Sequence, residues 1–181
     1  RFPETQTGHN RPMLMPKESD KFDFEAELVA IIGKGGRRIS EADALNHVAG
    51  YSCYNEGSVR DYQRHNTQWI PGKNFCETGA FGPWMVTADE IPDPTTITIK
   101  TRLNGEVMQD SSTDLLIFPI PVLLNYISTF VPLSPGDVIV TGTPGGVGAR
   151  RDPQIWMKDG DVVEIDISKV GVLRNTVKKE T

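Results

Sequence analysis

Between Phe22 and Leu28 the chain alternates without a break: Phe22-Asp23-Phe24-Glu25-Ala26-Glu27-Leu28. A period of two puts alternate side chains on opposite faces of a strand, so one face is buried and the other is wet or functional. The alternation runs into Val29-Ala30-Ile31-Ile32, the kind of apolar stretch that is covered on both faces, and Gly33 and Gly35-Gly36 end it. On the acidic face Asp23, Glu25 and Glu27 would be neighbours spaced roughly 7 Å apart. Like charges arranged so need solvent, basic partners or a cation. Carboxylates select hard cations such as Mg²⁺, Mn²⁺ or Ca²⁺. Taken alone, the alternation is better explained by a solvated face.

The rest of the chain reads as many strands and about three helices, in no βαβ rhythm. Residues 1–21, punctuated by Pro3, Pro12 and Pro16, read as an irregular arm with at most a short strand at Met13–Met15. Ser40-Glu41-Ala42-Asp43 resembles a capping box, predicting a helix from Glu41 to about Ala49 with Gly50 as its stop. Tyr51–Tyr54 reads as a strand, Ser58 as the cap of a short helix through Arg64, and 66–80 as a long loop. Asn104-Gly105 between alternating residues signals a hairpin. Pro119–Phe130 reads as an apolar helix, 137–140 as a strand, and 161–177 as two strands broken near Gly171. Seventeen Gly and thirteen Pro fit many turns. An α+β, mainly β domain follows.

Composition excludes several classes. The formal net charge of −5 argues against nucleic acid or an anionic membrane as the main partner. No apolar run approaches the length of a membrane span. Two cysteines, Cys53 and Cys76, are too few for a secreted disulfide scaffold, so a reducing, cytoplasmic interior is expected. The chain opens Arg1-Phe2-Pro3 with no Met, so position 1 is not expected to be the natural start.

Other residues could carry chemistry. Glu56, at a turn made by Gly57, could add a third carboxylate, or be an ordinary turn residue in water. Arg60 and Gln63, three apart, would share a helix face, where Arg can grip a carboxylate bidentately; taken alone, a solvated helix with an ordinary Arg–Asp pair explains them better. Lys73, in Pro71-Gly72-Lys73-Asn74-Phe75, projects from the loop and could stabilise a developing enolate beside a metal. Thr141–Gly148 lacks the spacing of a phosphate loop or a dinucleotide fingerprint. Its backbone N–H groups and Thr143 could instead cradle a carboxylate, or form a tight structural turn. His9, His47 and His65 show no zinc pattern, and neither Cys has a nearby His.

Together, in order, these segments resemble the fumarylacetoacetate hydrolase family. Phe24–Gly33 is similar to its E-x-E-L strand, and Tyr54–Gln63 to its N-D-x-S-x-R-D-x-Q segment. Gly72-Lys73-Asn74-Phe75 followed by Gly82-Pro83-Trp84 resembles its next motif. Leu103–Glu106 is similar to its hairpin, and 136–148 to its late signature. The resemblance spans about residues 1–177. It implies layered mixed sheets forming a roll or pseudo-barrel with few short helices, a single catalytic domain over 1–181, and a homodimer. It implies one divalent ion, Mg²⁺ or Mn²⁺ in most members and Ca²⁺ in some, held by Glu25, Glu27 and Glu56. The family often has Asp at the Glu56 position. It implies that Arg60, Gln63 and Lys73 face the substrate, that Thr143 meets its far end, and that Asp23 is structural. The family's His–Glu acid/base pair, carried on a mobile lid, maps upstream of Arg1.

The expected activity is therefore hydrolysis of a C–C bond in a small 2-oxo or 1,3-dicarbonyl acid, of acylpyruvate or fumarylacetoacetate type, from aromatic and related catabolism. The alternative is an isomerase or decarboxylase of a hydroxymuconate-type diacid or oxaloacetate. A second alternative is a non-catalytic metal-binding protein that keeps the pocket without the dyad.

Overall fold

The computed structural model describes residues 1–181. In chain order its strands are β1 (Gln6–Gly8), β2 (Met13–Met15), β3 (Phe22–Asp23), β4 (Ala26–Ile32), β5 (Val48–Glu56), β6 (Ser58–Val59), β7 (Gly79–Thr87), β8 (Thr98–Leu103), β9 (Glu106–Ser112), β10 (Val138–Val140), β11 (Val162–Ile167) and β12 (Gly171–Lys179). The α-helices are α1 (Arg60–Gln63), α2 (Ile70–Lys73) and α3 (Ile120–Phe130). None is long and apolar enough to cross a membrane.

Two five-stranded mixed sheets form the layers, in orders β1-β7-β5-β4-β10 and β2-β12-β11-β8-β9, and β3 pairs β6 in a small ribbon. Neither sheet closes into a barrel. The β1–β7 and β2–β12 pairs are parallel, and the rest are antiparallel. Strands β11 and β12 pack across β5, burying one continuous core. It draws Leu28, Tyr51 and Cys53 from the first sheet and Ile99, Ile165 and Leu173 from the second. Strand β4 lies between β5 and β10, and this interior position explains the unbroken apolar run from Leu28 to Ile32.

Several local expectations are corrected. The acidic alternation is not one strand with a wet face: it breaks between β3 and β4, and Asp23, Glu25 and Glu27 are all buried. The arm contributes β1, which pairs with Gly79–Phe81 and was not expected from its polar sequence. Glu41–His47 is a 3-10 helix, and the Ser40 side chain does not cap it. Gly50 does not stop a helix; it sits within β5, where a Cβ would collide with the Val86 carbonyl of β7. Ser58 belongs to β6, and its hydroxyl donates to the Glu56 carbonyl at 2.7 Å rather than capping α1. The 66–80 segment contains α2, so Lys73 ends a helical turn rather than projecting from a loop.

The hairpin and the long helix follow expectation. Asn104 and Gly105 both take positive φ, 52° and 85°, the backbone a two-residue turn between twisted strands demands. Helix α3 starts directly after Pro119.

Candidate active site

The break between β3 and β4 is built from side chains. The Phe24 N–H donates to Asp23 Oδ1 at 2.9 Å, the Glu25 N–H to Asn55 Oδ1 at 3.0 Å, and the Ala26 N–H to Gln109 Oε1 at 3.0 Å. Buried amides must find acceptors. Here three successive ones find them on side chains from three places in the fold instead of on backbone carbonyls. The chain therefore kinks without leaving a donor bare, and Glu25 and Glu27 are turned toward the end of β5.

Glu56, the last residue of β5, meets them there. One carboxylate oxygen from each of Glu25, Glu27 and Glu56 lies within 4.8 Å of the others. Glu56 is half-buried; Glu25 and Glu27 are almost fully buried. Lys73 Nζ bridges two of them, at 2.7 Å from Glu25 Oε2 and 2.8 Å from Glu56 Oε2. Its placement depends on Gly72, where a Cβ would overlap the Gln63 backbone; without one, α2 lies directly against α1.

Arg60 borders the cavity and is at the same time tied to the acidic groups around it. Its Nε pairs with Asp23 Oδ2 at 2.8 Å, and its Nη1 reaches Glu25 Oε1 at 2.6 Å and Gln63 Oε1 at 2.9 Å. Burial opposes the guanidinium charge, but Glu25 and then Asp23 outweigh it and hold the group above its ordinary value. Nη2 alone is buried without a partner. Arg60 thus braces the site more than it presents a free fork. Asp23 behaves as expected of a structural residue: it is fully buried and also accepts the Gly148 and Ala149 N–H groups at 2.8 and 3.0 Å.

The Gly-rich loop forms another side of the cavity. The Gly142 N–H donates to Glu27 Oε2 rather than standing free to cradle a ligand. Thr143 borders the same cavity, a space of about 450 Å³ lined also by Gln63, Arg64, Trp69 and Arg150. Sequence reading missed Asn55 and Gln109, which shape the site from outside it. It also missed Arg64, Trp69 and Arg150, which carry no motif of their own. The lining holds no histidine.

The donor set fits a hard divalent ion. Its three candidate ligands are carboxylates, the oxygen chemistry such ions take. The charge around it is also unbalanced. Glu25 has Arg60 and Lys73, and Glu56 has Lys73 and Arg1, but Glu27 forms no ion pair. Burial first, then the neighbouring Glu56 and Glu25 carboxylates, hold the Glu27 carboxyl well above the usual carboxylate range. A dication between the three oxygens would supply the missing charge.

Comparison with known proteins agrees with this geometry. The model of the fumarylacetoacetate hydrolase C-terminal family matches residues 1–178. An oxaloacetate tautomerase of Xenopus laevis, named as mitochondrial, is 42% identical over 179 residues, covering 98% of this chain and 56% of that protein. The chain thus spans little more than half of this relative. The solved fumarylacetoacetate hydrolase of Exiguobacterium antarcticum superposes with a TM-score of 0.95 at 38% identity, over 98% of this chain and 64% of that one. A fumarylpyruvate hydrolase of Pseudomonas aeruginosa, solved with Mn²⁺ and pyruvate, superposes with a TM-score of 0.88 at 30% identity, over 98% and 76%. By fold, ordered motifs and carboxylate cluster, the chain belongs to the fumarylacetoacetate hydrolase family.

Proposed function

We propose that the chain is the metal-holding catalytic part of an enzyme that enolises a small 2-oxo acid, with keto–enol isomerisation or decarboxylation of an oxaloacetate-like diacid as the outcome. The carrying observation is the trio of Glu25, Glu27 and Glu56 within 4.8 Å, bridged on one side by the Lys73 ammonium. The tautomerase name of the Xenopus relative supports this outcome over the C–C hydrolysis first expected. The hydrolase names of the two solved relatives keep hydrolysis as the second reading.

In this reading Glu25, Glu27 and Glu56 hold Mg²⁺ or Mn²⁺, and Mn²⁺ has the precedent of the Pseudomonas structure. When bound, the ion would polarise the 2-oxo group and stabilise the negative charge that grows on its oxygen. The chain's own groups complete the site. An ammonium has three donors; two of those on Lys73 are engaged by Glu25 and Glu56, leaving one for an oxygen in the cavity. Gln63 accepts from Arg60 through Oε1, which leaves its NH₂ as a donor on the cavity side. Arg60 fixes Glu25 and Gln63 in place, and Thr143 meets the far end of the acid. Isomerisation then moves one proton between C3 and the carbonyl oxygen as the double bond shifts between C2–O and C2–C3, with no carbon–carbon bond cleaved.

The homodimer implied by the family is proposed on the same footing, with the exposed Tyr126, Phe130 and Val131 as candidate contact residues. The compartment is proposed by analogy alone, and the relative's name favours mitochondria over the cytoplasm first expected.

The test is the loss of enol absorbance in freshly dissolved oxaloacetate, with pyruvate release and acylpyruvate cleavage measured alongside. Acceleration by Mn²⁺- or Mg²⁺-loaded protein that chelation removes would support the proposal. Cleavage of an acylpyruvate without any effect on oxaloacetate would move the assignment to hydrolysis. Inactivity on every acid would favour a non-catalytic metal-binding protein.

A further inference from the structure

Gln109 lies on β9, is 1% exposed and does not border the cavity, yet it bonds both the backbone between Glu25 and Glu27 and the Thr143–Pro144 loop, whose residues do. Its Oε1 accepts the Ala26 N–H at 3.0 Å, between Glu25 and Glu27, and the Thr101 hydroxyl at 2.7 Å. Its Nε2 donates to the Pro144 carbonyl at 2.8 Å and to Thr143 Oγ1 at 2.9 Å.

This arrangement has one solution. An amide can be turned end for end to exchange its oxygen and nitrogen. Here the turned form would set NH₂ against the Ala26 N–H and a carbonyl oxygen against the Pro144 carbonyl. Both backbone groups have fixed polarity, so the orientation is set by them. Nε2 must then donate into Thr143 Oγ1. A hydroxyl that accepts on this side has its proton free to point elsewhere. The Thr143 hydroxyl has no acceptor within the protein, and Thr143 lines the cavity.

We propose that Gln109 is a positioning residue that sets the polarity of the Thr143 hydroxyl, making it a hydrogen-bond donor aimed at the terminal carboxylate of a 2-oxo diacid. The inference rests on the proposed function, which supplies the acid, and deepens it by selecting diacids over acids with an apolar end. A donor so fixed favours an anionic oxygen, because a charge-assisted hydrogen bond is roughly twice as strong as a neutral one. Gln109 also holds the Ala26 N–H, so one side chain ties the carboxylate strand to the loop that reads the far end of the ligand.

The test compares 2-oxoglutarate with 2-oxopentanoate by calorimetry on the Mn²⁺-loaded protein. The two acids have equal chain length and differ in a terminal carboxylate against a methyl. The expected result is a wild-type preference for 2-oxoglutarate of about tenfold or more. Gln109→Glu keeps an acceptor for Ala26 and Thr101 but removes the donor, so the Thr143 proton turns inward. The preference should then fall by about tenfold. Thr143→Val should lower it similarly, and Thr143→Ser should restore it.

An unchanged preference in variants that melt as folded proteins would overturn the assignment. A wild type that binds both acids equally would overturn it too and leave the proposed function standing. A wild type that binds neither would overturn both. If Gln109→Glu does not fold, the Thr143 pair decides: loss in Val with recovery in Ser supports the donor, and no loss in Val sinks it.

Discussion

Asp23 and Arg60 form a buried ion pair, Oδ2 to Nε at 2.8 Å, across the junction of the β3–β6 ribbon and α1. The same carboxylate accepts the Gly148 and Ala149 N–H groups at the end of the Gly-rich loop. Two walls of the cavity, the Arg60 turn and this loop, therefore meet at one acidic side chain that never touches the cavity itself.

Asp23→Asn should destabilise the fold by about 3 kcal/mol, because it leaves Arg60 buried with part of its charge unanswered and presents an amide NH₂ to groups that are all donors. Urea unfolding of the variant beside the wild type measures this. A difference below about 1 kcal/mol would show that the pair is not integral to the junction.

Glu27→Gln should weaken divalent-ion binding at least tenfold, since it removes one charge from the ligand set. Its metal-free form should be at least as stable as the wild type at neutral pH, because burial and the neighbouring Glu56 and Glu25 carboxylates oppose the Glu27 charge more than Lys73 and the Gly142 N–H support it. Calorimetry and thermal melting together test this. Unchanged metal affinity would remove Glu27 from the ligand set.

The Glu27 carboxyl, held well above the ordinary range, binds its proton more tightly in the folded chain than in the unfolded one. Its contribution to stability is therefore full below the unfolded value and lost as pH rises through the raised folded value. Melting curves of the metal-free protein should shift downward over that window. The rise in melting temperature on adding Mn²⁺ should grow over the same window, as competition from the proton fades. A cation-induced shift that shrinks with rising pH would contradict the proposed ligands.

Lys73→Ala should lower turnover at least tenfold while metal affinity holds or tightens. The ammonium contacts Glu25 and Glu56, so its removal leaves the trio more negative. Parallel loss of both properties would assign Lys73 a structural role instead.

The two cysteines should differ sharply. Burial pushes the Cys53 thiol up to about 12, and Cys76 is exposed. A disulfide reagent at mildly alkaline pH should modify one thiol per chain at once and the second only on unfolding, because the thiolate is the reactive form. Rapid modification of both would show that the core around Cys53 opens readily.

Much of this was legible along the chain. Asn104-Gly105 specifies its hairpin through backbone conformations few other pairs tolerate, and Pro119 marks the start of α3, because both signals act within a few residues. The ordered motifs likewise pointed to Glu25, Glu27, Glu56 and Lys73, which the fold brings together. The polarity of their surroundings was not legible. Alternation says that Asp23, Glu25 and Glu27 share a side, but whether that side meets water depends on Arg60, Lys73 and the Gly142 amide arriving from distant segments. The same holds for β1, paired only because β7 leaves an edge beside it, and for Gln109, which in sequence is one residue of a hairpin strand. Local conformational preference is written in neighbouring residues. Burial of charge and the direction of a hydrogen bond are decided by partners that only long-range packing supplies.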